Sequence, residues 1–87
     1  MNKLHVIVVE DDWLVAESIL SALTELGYRA RFSAHSYTEA VELIQKEKAD
    51  FAMIDIQLAG EKDGIDFAEY LNKHIHIPFI FLTGNTD

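Results

Sequence analysis

Five side chains could do chemistry together. Glu10, Asp11 and Asp12 stand in a row at the end of "VIVVEDD", Asp55 closes "FAMID", and the hydroxyl of Thr83 follows "FIFL". Carboxylates brought together repel one another and raise each other's pKa. A hard divalent cation removes that cost. Mg²⁺ takes a few carboxylates, a backbone carbonyl and several waters, and it accepts phosphate oxygens. A threonine hydroxyl can donate to an oxyanion. These residue types fit a Mg²⁺ and phosphoryl site in which one aspartate serves as nucleophile. Such a site exists only if separate stretches of chain end at one place, so the elements that carry the acids decide the matter.

Leu4 to Val9 is apolar except for His5 and rich in Val and Ile, as expected of a strand buried on both faces. Asp12 can cap a helix running to about Leu26. Its apolar stripe is Val15, Ile19, Ala22 and Leu26, with Ala16, Leu20 and Leu23 beside it, and Glu17, Ser18, Ser21 and Glu25 fill the other face. Gly27 stands where a left-handed residue would end that helix. Arg29 to Phe32 alternates as an edge strand does. Ser36 and Glu39 form a capping-box pair ahead of a helix whose stripe is Tyr37, Ala40, Val41 and Ile44. Phe51 to Ile54 is a short apolar strand ending at Asp55. A loop with Gly60 and Gly64 leads to a helix from Ile65 to about His74. Pro78 then breaks the chain before a strand, Phe79 to Leu82, that ends at Thr83. This β-α-β-α-β-α-β order predicts an α/β fold, a doubly wound parallel sheet with helices on both faces. Ligands of such sheets bind beyond the carboxyl ends of the strands. Glu10, Asp11, Asp55 and Thr83 all fall there.

Length and composition set bounds. A chain of 87 residues suits one small domain spanning 1–87, and at this size only ~60–65 % of the unfolded surface is hidden on folding. A hydrophobic content of 49 % excludes a disordered segment. The net charge of −8 argues against binding nucleic acid or an anionic membrane, and suits cations or a basic partner. The absence of cysteine excludes disulfides and thiolate metal sites. The N-terminal apolar run is too short for a signal peptide or a membrane span, so a cytoplasmic protein is expected. His74 and His76 lack a third ligand at sensible spacing and read as solvated loop residues. Trp13 and the group Phe51, Phe79 and Phe81 read as packing, and Lys62 as a solvated loop lysine.

"VVEDD", "MIDIQL", "DGI" and "FLTG", in this order and on these elements, resemble the receiver domain of bacterial response regulators over Lys3 to Asp87. The resemblance implies a flavodoxin-like fold with strand order 2-1-3-4 and Mg²⁺ as cofactor. It implies that Asp55 is the phosphoacceptor, that Asp11 and Asp55 bind the metal directly, that Glu10 acts on it through water, and that Gln57 offers its backbone carbonyl. Thr83 matches the switch hydroxyl that reaches the phosphoryl group. Asp12, Trp13 and Gly84 flank the site, Trp13 at a position where the family's side chain affects access of water. The partners implied are a sensor histidine kinase or a phosphotransfer protein, and an output domain or target protein. That output could be DNA-binding, outside this chain.

The sequence departs from the family pattern at three places. The proline usual after the phosphoacceptor is replaced by Leu58-Ala59-Gly60, in a loop with one extra residue. That loop, "LAGEKDGI", is similar to receivers of LytTR-type regulators. Gly84 satisfies the demand for a small residue after the switch position. The sequence stops at Asp87, so a domain incomplete at its C-terminus is expected, without the fifth strand, the last helices or the lysine that contacts the phosphoryl group. From this follow the expectations that Asp55 is phosphorylated poorly and that "PFIFL", as an uncovered edge, drives self-association. Two other functions stay open: a phosphorylation-independent interaction module, and a Mg²⁺-dependent phosphohydrolase with an aspartyl nucleophile. Against the latter, the first strand ends in Glu-Asp-Asp rather than Asp-x-Asp.

Overall fold

The computed structural model describes residues 3–82. Four strands, β1 (His5–Val9), β2 (Arg29–Ala34), β3 (Phe51–Asp55) and β4 (Phe79–Leu82), form one sheet in the order β2-β1-β3-β4. Every neighbouring pair is parallel. Three helices connect them: α1 (Trp13–Glu25), α2 (Tyr37–Lys46) and α3 (Gly64–Tyr70). The expected α/β fold and strand order are those of the structure.

β1 is central, and all five of its residues are buried. Val6 and Val8 point to α1 and pack with Leu20, Leu23 and Ala30. Ile7 and Val9 point the other way and join Ile54, Ala40, Ile44, Phe67 and Leu71. A strand covered on both faces has no polar side, which is why its sequence does not alternate. Burial of four such side chains is worth roughly 1.5–3 kcal/mol each. That sum is comparable with the net stability of a small domain, so β1 is an anchor strong enough to hold repelling acids at its end.

Several local readings change on folding. In α1 the buried residues are Ala16, Leu20 and Leu23, while Leu26 is 74 % and Val15 42 % exposed. The core stripe is therefore the one placed beside the expected stripe, because the crossing of α1 over Val6 and Val8 selects one of two adjoining apolar stripes. β2 runs two residues further than expected, to Ala34, with a register irregularity opposite His5 to Ile7. At α2, Ser36 Oγ accepts from Glu39 N–H at 3.1 Å, but Glu39 Oε1 accepts from the N–H of His35 at 2.9 Å rather than from Ser36. The reciprocal bond thus lands one residue upstream of a true capping box. The third helix closes as α3 at Tyr70 and continues as a π-helical turn, Leu71–Ile75, ended by His76 in the left-handed region (φ 65°). His74 sits in that turn against Tyr70, ring centroids 4.8 Å apart.

β4 pairs only with β3 among the described residues, and its Ile80 is 54 % exposed. Short apolar strand edges with free backbone groups pair with other chains. A polypeptide of residues 1–87 is expected to associate as its concentration rises. Light scattering over a dilution series checks this; a constant monomer mass would contradict it.

Candidate functional site

The carboxyl ends of β1 and β3 lie side by side, Val9 opposite Ile54. Glu10 and Asp11 follow the first and Asp55 ends the second, so the parallel register brings the acids together. One carboxylate oxygen from each of Glu10, Asp11 and Asp55 lies within 4.8 Å of the other two. Thr83 and Gly84 lie outside the described residues.

Glu10 is the most constrained of the three. It is only 7 % exposed, and its N–H donates to Ala34 O at 2.9 Å. Its Oε2 accepts from Asp12 N–H at 3.0 Å. Burial pushes its carboxyl pKa above the ordinary 4.5. The Asp55 charge and the hydrogen bond and charge of Asp11 push the same way, and the Asp12 N–H opposes them. Asp11 is exposed. Asp12 turns to the helix: its Oδ1 accepts from Leu14 N–H (3.0 Å) and Val15 N–H (3.3 Å) as the N-cap of α1. Asp55 Oδ1 accepts from Gln57 N–H at 3.2 Å.

The raised pKa of Glu10 has a consequence for stability. Native Glu10 binds its proton more tightly than the same residue in the unfolded chain. Its ionisation therefore works against folding as pH rises above 4.5. With divalent cations removed by a chelator, Glu10→Gln is expected to raise the melting temperature at neutral pH. The gain should fade below the ordinary Glu range, where the carboxyl is protonated in both states. Thermal melts across pH check this; a variant less stable than wild type at neutral pH would contradict it.

Two residues shape the site in ways the sequence reading did not assign: Gly64, read only as a loop residue and part of "DGI", and His35, not singled out at all. Gly64 opens α3, and its N–H donates to Ile56 O at 2.8 Å. A Cβ at Gly64 would stand 2.0 Å from the carbonyl oxygen of Asp55 and 2.9 Å from both its carbonyl carbon and Ile54 Cγ2. The helix is thus seated on the backbone that carries Asp55. Asp63 caps it in a capping box with Asp66. "DGI" was the available signal, but nothing in it tells how close the approach is. The second residue is His35, just after β2, whose Nδ1 lies 2.8 Å from Glu10 O and whose ring stacks on Trp13. Trp13 is 65 % exposed, so the packing expected of it is this stack on His35 at the edge of the site. Phe51, Phe79 and Phe81 are half-buried and pack against the core. Lys62 is an exposed loop lysine, as expected, and its Nζ lies 4.8 Å above the Tyr37 ring in a cation–π contact.

Chemically, the cluster is an all-oxygen donor set with one buried, proton-hungry carboxylate and two others against it. That is the chemistry of a hard divalent cation such as Mg²⁺. No helix among the described residues is long and apolar enough to cross a membrane.

Comparison with known proteins bears on the same residues. The family model described as "Response regulator receiver domain" matches residues 6–87. A signal receiver domain of a modulated diguanylate cyclase from Desulfovibrio desulfuricans G20 superposes with TM-score 0.86 at 34 % identity, over 94 % of this chain and 66 % of that one. The receiver domain of the response regulator PhyR from Erythrobacter litoralis gives 0.85 at 32 %, over 93 % and 63 %. The anti-anti-sigma factor PhyR from Bartonella quintana gives 0.83 at 31 %, over 93 % and 33 %. The chain thus spans from a third to about two thirds of these three solved chains. With a family match over nearly its whole length and the acid cluster assembled at the strand ends, this chain belongs to the response regulator receiver domains.

Proposed function

We propose that this chain is the phosphoacceptor of a two-component signalling pathway, taking a phosphoryl group from a sensor histidine kinase or a phosphotransfer protein in the cytoplasm. The observation that supports it is the meeting of Glu10, Asp11 and Asp55 within 4.8 Å. An Asp55 carboxylate oxygen attacks phosphorus, the O–P bond forming as the P–N bond to the donor's imidazole breaks. The imidazole leaves with the electron pair and takes up a proton. Asp11, Asp55 and the Gln57 carbonyl would hold Mg²⁺ directly, and Glu10 through water. The ion, when bound, supplies positive charge against the phosphoryl oxygens. Gln57 N–H steadies Asp55 Oδ1 meanwhile. The added charge would then bias the output, with Thr83 moving to the new oxygens.

A second reading is binding of a protein partner without phosphorylation. It draws on the likeness to PhyR from Bartonella quintana, solved in complex with the anti-sigma factor NepR and 30 % identical over 98 % of this chain. Treatment with acetyl phosphate and Mg²⁺, read by intact mass, separates the two: the phosphoacceptor takes up one phosphoryl group on Asp55, the bare interaction module takes up none.

A further inference from the structure

We propose that His35 is a positioning residue that parks the Trp13 indole on the β2 side of the sheet, away from Asp55, and so keeps the approach to the acid cluster open. The inference rests on the phosphoacceptor reading above for its consequence, but not for its geometry.

The His35 and Trp13 rings are stacked, centroids 3.6 Å apart and planes inclined by 23°. His35 follows β2, Glu10 follows β1, and Asp55 ends β3. Because β1 lies between β2 and β3, an indole stacked on His35 is held on the opposite side of β1 from Asp55. The imidazole is itself held at both ring nitrogens, and the backbone that carries it is tied as well. Nδ1 lies 2.8 Å from the Glu10 carbonyl, which can only accept, so Nδ1 carries a hydrogen. Nε2 lies 3.4 Å from Ser33 Oγ. The backbone N–H of His35 is tied to Glu39 Oε1 at 2.9 Å. One residue thus links β2, the start of α2, the loop that carries the acids and the first residue of α1.

Trp13 stands largely in solvent. It is 65 % exposed and lies two residues beyond Asp11. Without a flat partner on the β2 side, the indole can leave it for other rotamers, and Asp11, two residues before it, marks the near edge of the acid cluster. A large apolar ring there would obstruct a phosphoryl donor and strip water from the carboxylates. The stack is therefore an opening device built from residues outside the acid motifs.

Trp13 is the one tryptophan, so its fluorescence reports the clamp directly. The experiment compares wild type, His35→Ala and His35→Phe by fluorescence anisotropy decay and by the rate of phosphoryl uptake on Asp55 from acetyl phosphate with Mg²⁺. In wild type the indole should tumble with the whole protein. His35→Ala should add a fast local motion and slow uptake several-fold, and His35→Phe, which keeps a flat ring, should largely restore both. An indole equally immobile in His35→Ala overturns the proposal. So does a freed indole with unchanged uptake, or a slowed uptake that His35→Phe does not restore. If wild type takes up no label at all, the phosphoacceptor reading fails, and the anisotropy comparison still decides for or against the clamp.

Discussion

Gly64→Ala is expected to be the most damaging Gly→Ala change among the described residues. The new Cβ would meet the carbonyl oxygen of Asp55 at 2.0 Å, and its carbon and Ile54 Cγ2 at 2.9 Å. Two of these contacts are with backbone of a paired strand, so no rotamer change relieves them. Either α3 lifts off the sheet or the end of β3 moves, and each exposes Phe67, which is fully buried. Overpacking costs about 1–3 kcal/mol, occasionally more, and clashes with strand backbone place this change at about 3 kcal/mol. A domain of 87 residues has roughly 4–13 kcal/mol in all. The melting temperature should fall by roughly 12–24 °C. Gly60→Ala is the control: Gly60 has φ 100° but open space around its Cβ position, so only backbone strain of about 1–2 kcal/mol applies. Thermal unfolding of the two variants checks the expectation. Equal melting temperatures would show that close packing of α3 against Asp55 does not hold the site.

The second large effect is chemical. Acetyl phosphate with Mg²⁺ should add one phosphoryl group to wild type, slowly as expected above, and none to Asp55→Asn, because an amide has no anionic oxygen to attack phosphorus. Asp11→Asn keeps the nucleophile but removes one of the two direct carboxylate ligands proposed for the metal. Loss of preorganised charge at a developing phosphoryl transition state typically costs on the order of 10²-fold in rate. Asp11→Asn should therefore be labelled about that much more slowly, and its labelling should depend less on Mg²⁺. Intact mass and a time course read both variants. Labelling that survives Asp55→Asn would place the phosphoryl group elsewhere, and an Asp11→Asn variant as fast as wild type would remove the metal from the argument.

Much of this protein was legible before folding. The unbroken apolar runs at Leu4 to Val9 and Phe51 to Ile54 specify strands covered on both faces, since a half-exposed strand would alternate. Alternation of such strands with helices leaves few arrangements other than a parallel sheet. In a parallel sheet all carboxyl ends lie on one edge, so acids at the ends of β1 and β3 had to meet if those strands were neighbours. Fold class, strand order and the roles of Asp11 and Asp55 as neighbours thus follow from periodicity, chain direction and resemblance to one family.

What only the tertiary structure decided lies where two local choices are equally good, or where a contact joins distant residues. The two apolar stripes of α1 adjoin each other, and the crossing over Val6 and Val8 selected Ala16, Leu20 and Leu23. Trp13 reads from the sequence as a packing residue beside the site, but its partner, the His35 ring, emerges only from the fold. His35 itself belongs to no motif. Its role comes from a hydrogen bond to Glu10, 25 residues away in sequence. The lack of room for a Cβ at Gly64 depends on where a whole helix comes to rest against β3. Periodicity is a local property of the chain and can be read from it. Docking distances are set by the sum of all packing contacts, and no single stretch of sequence contains them.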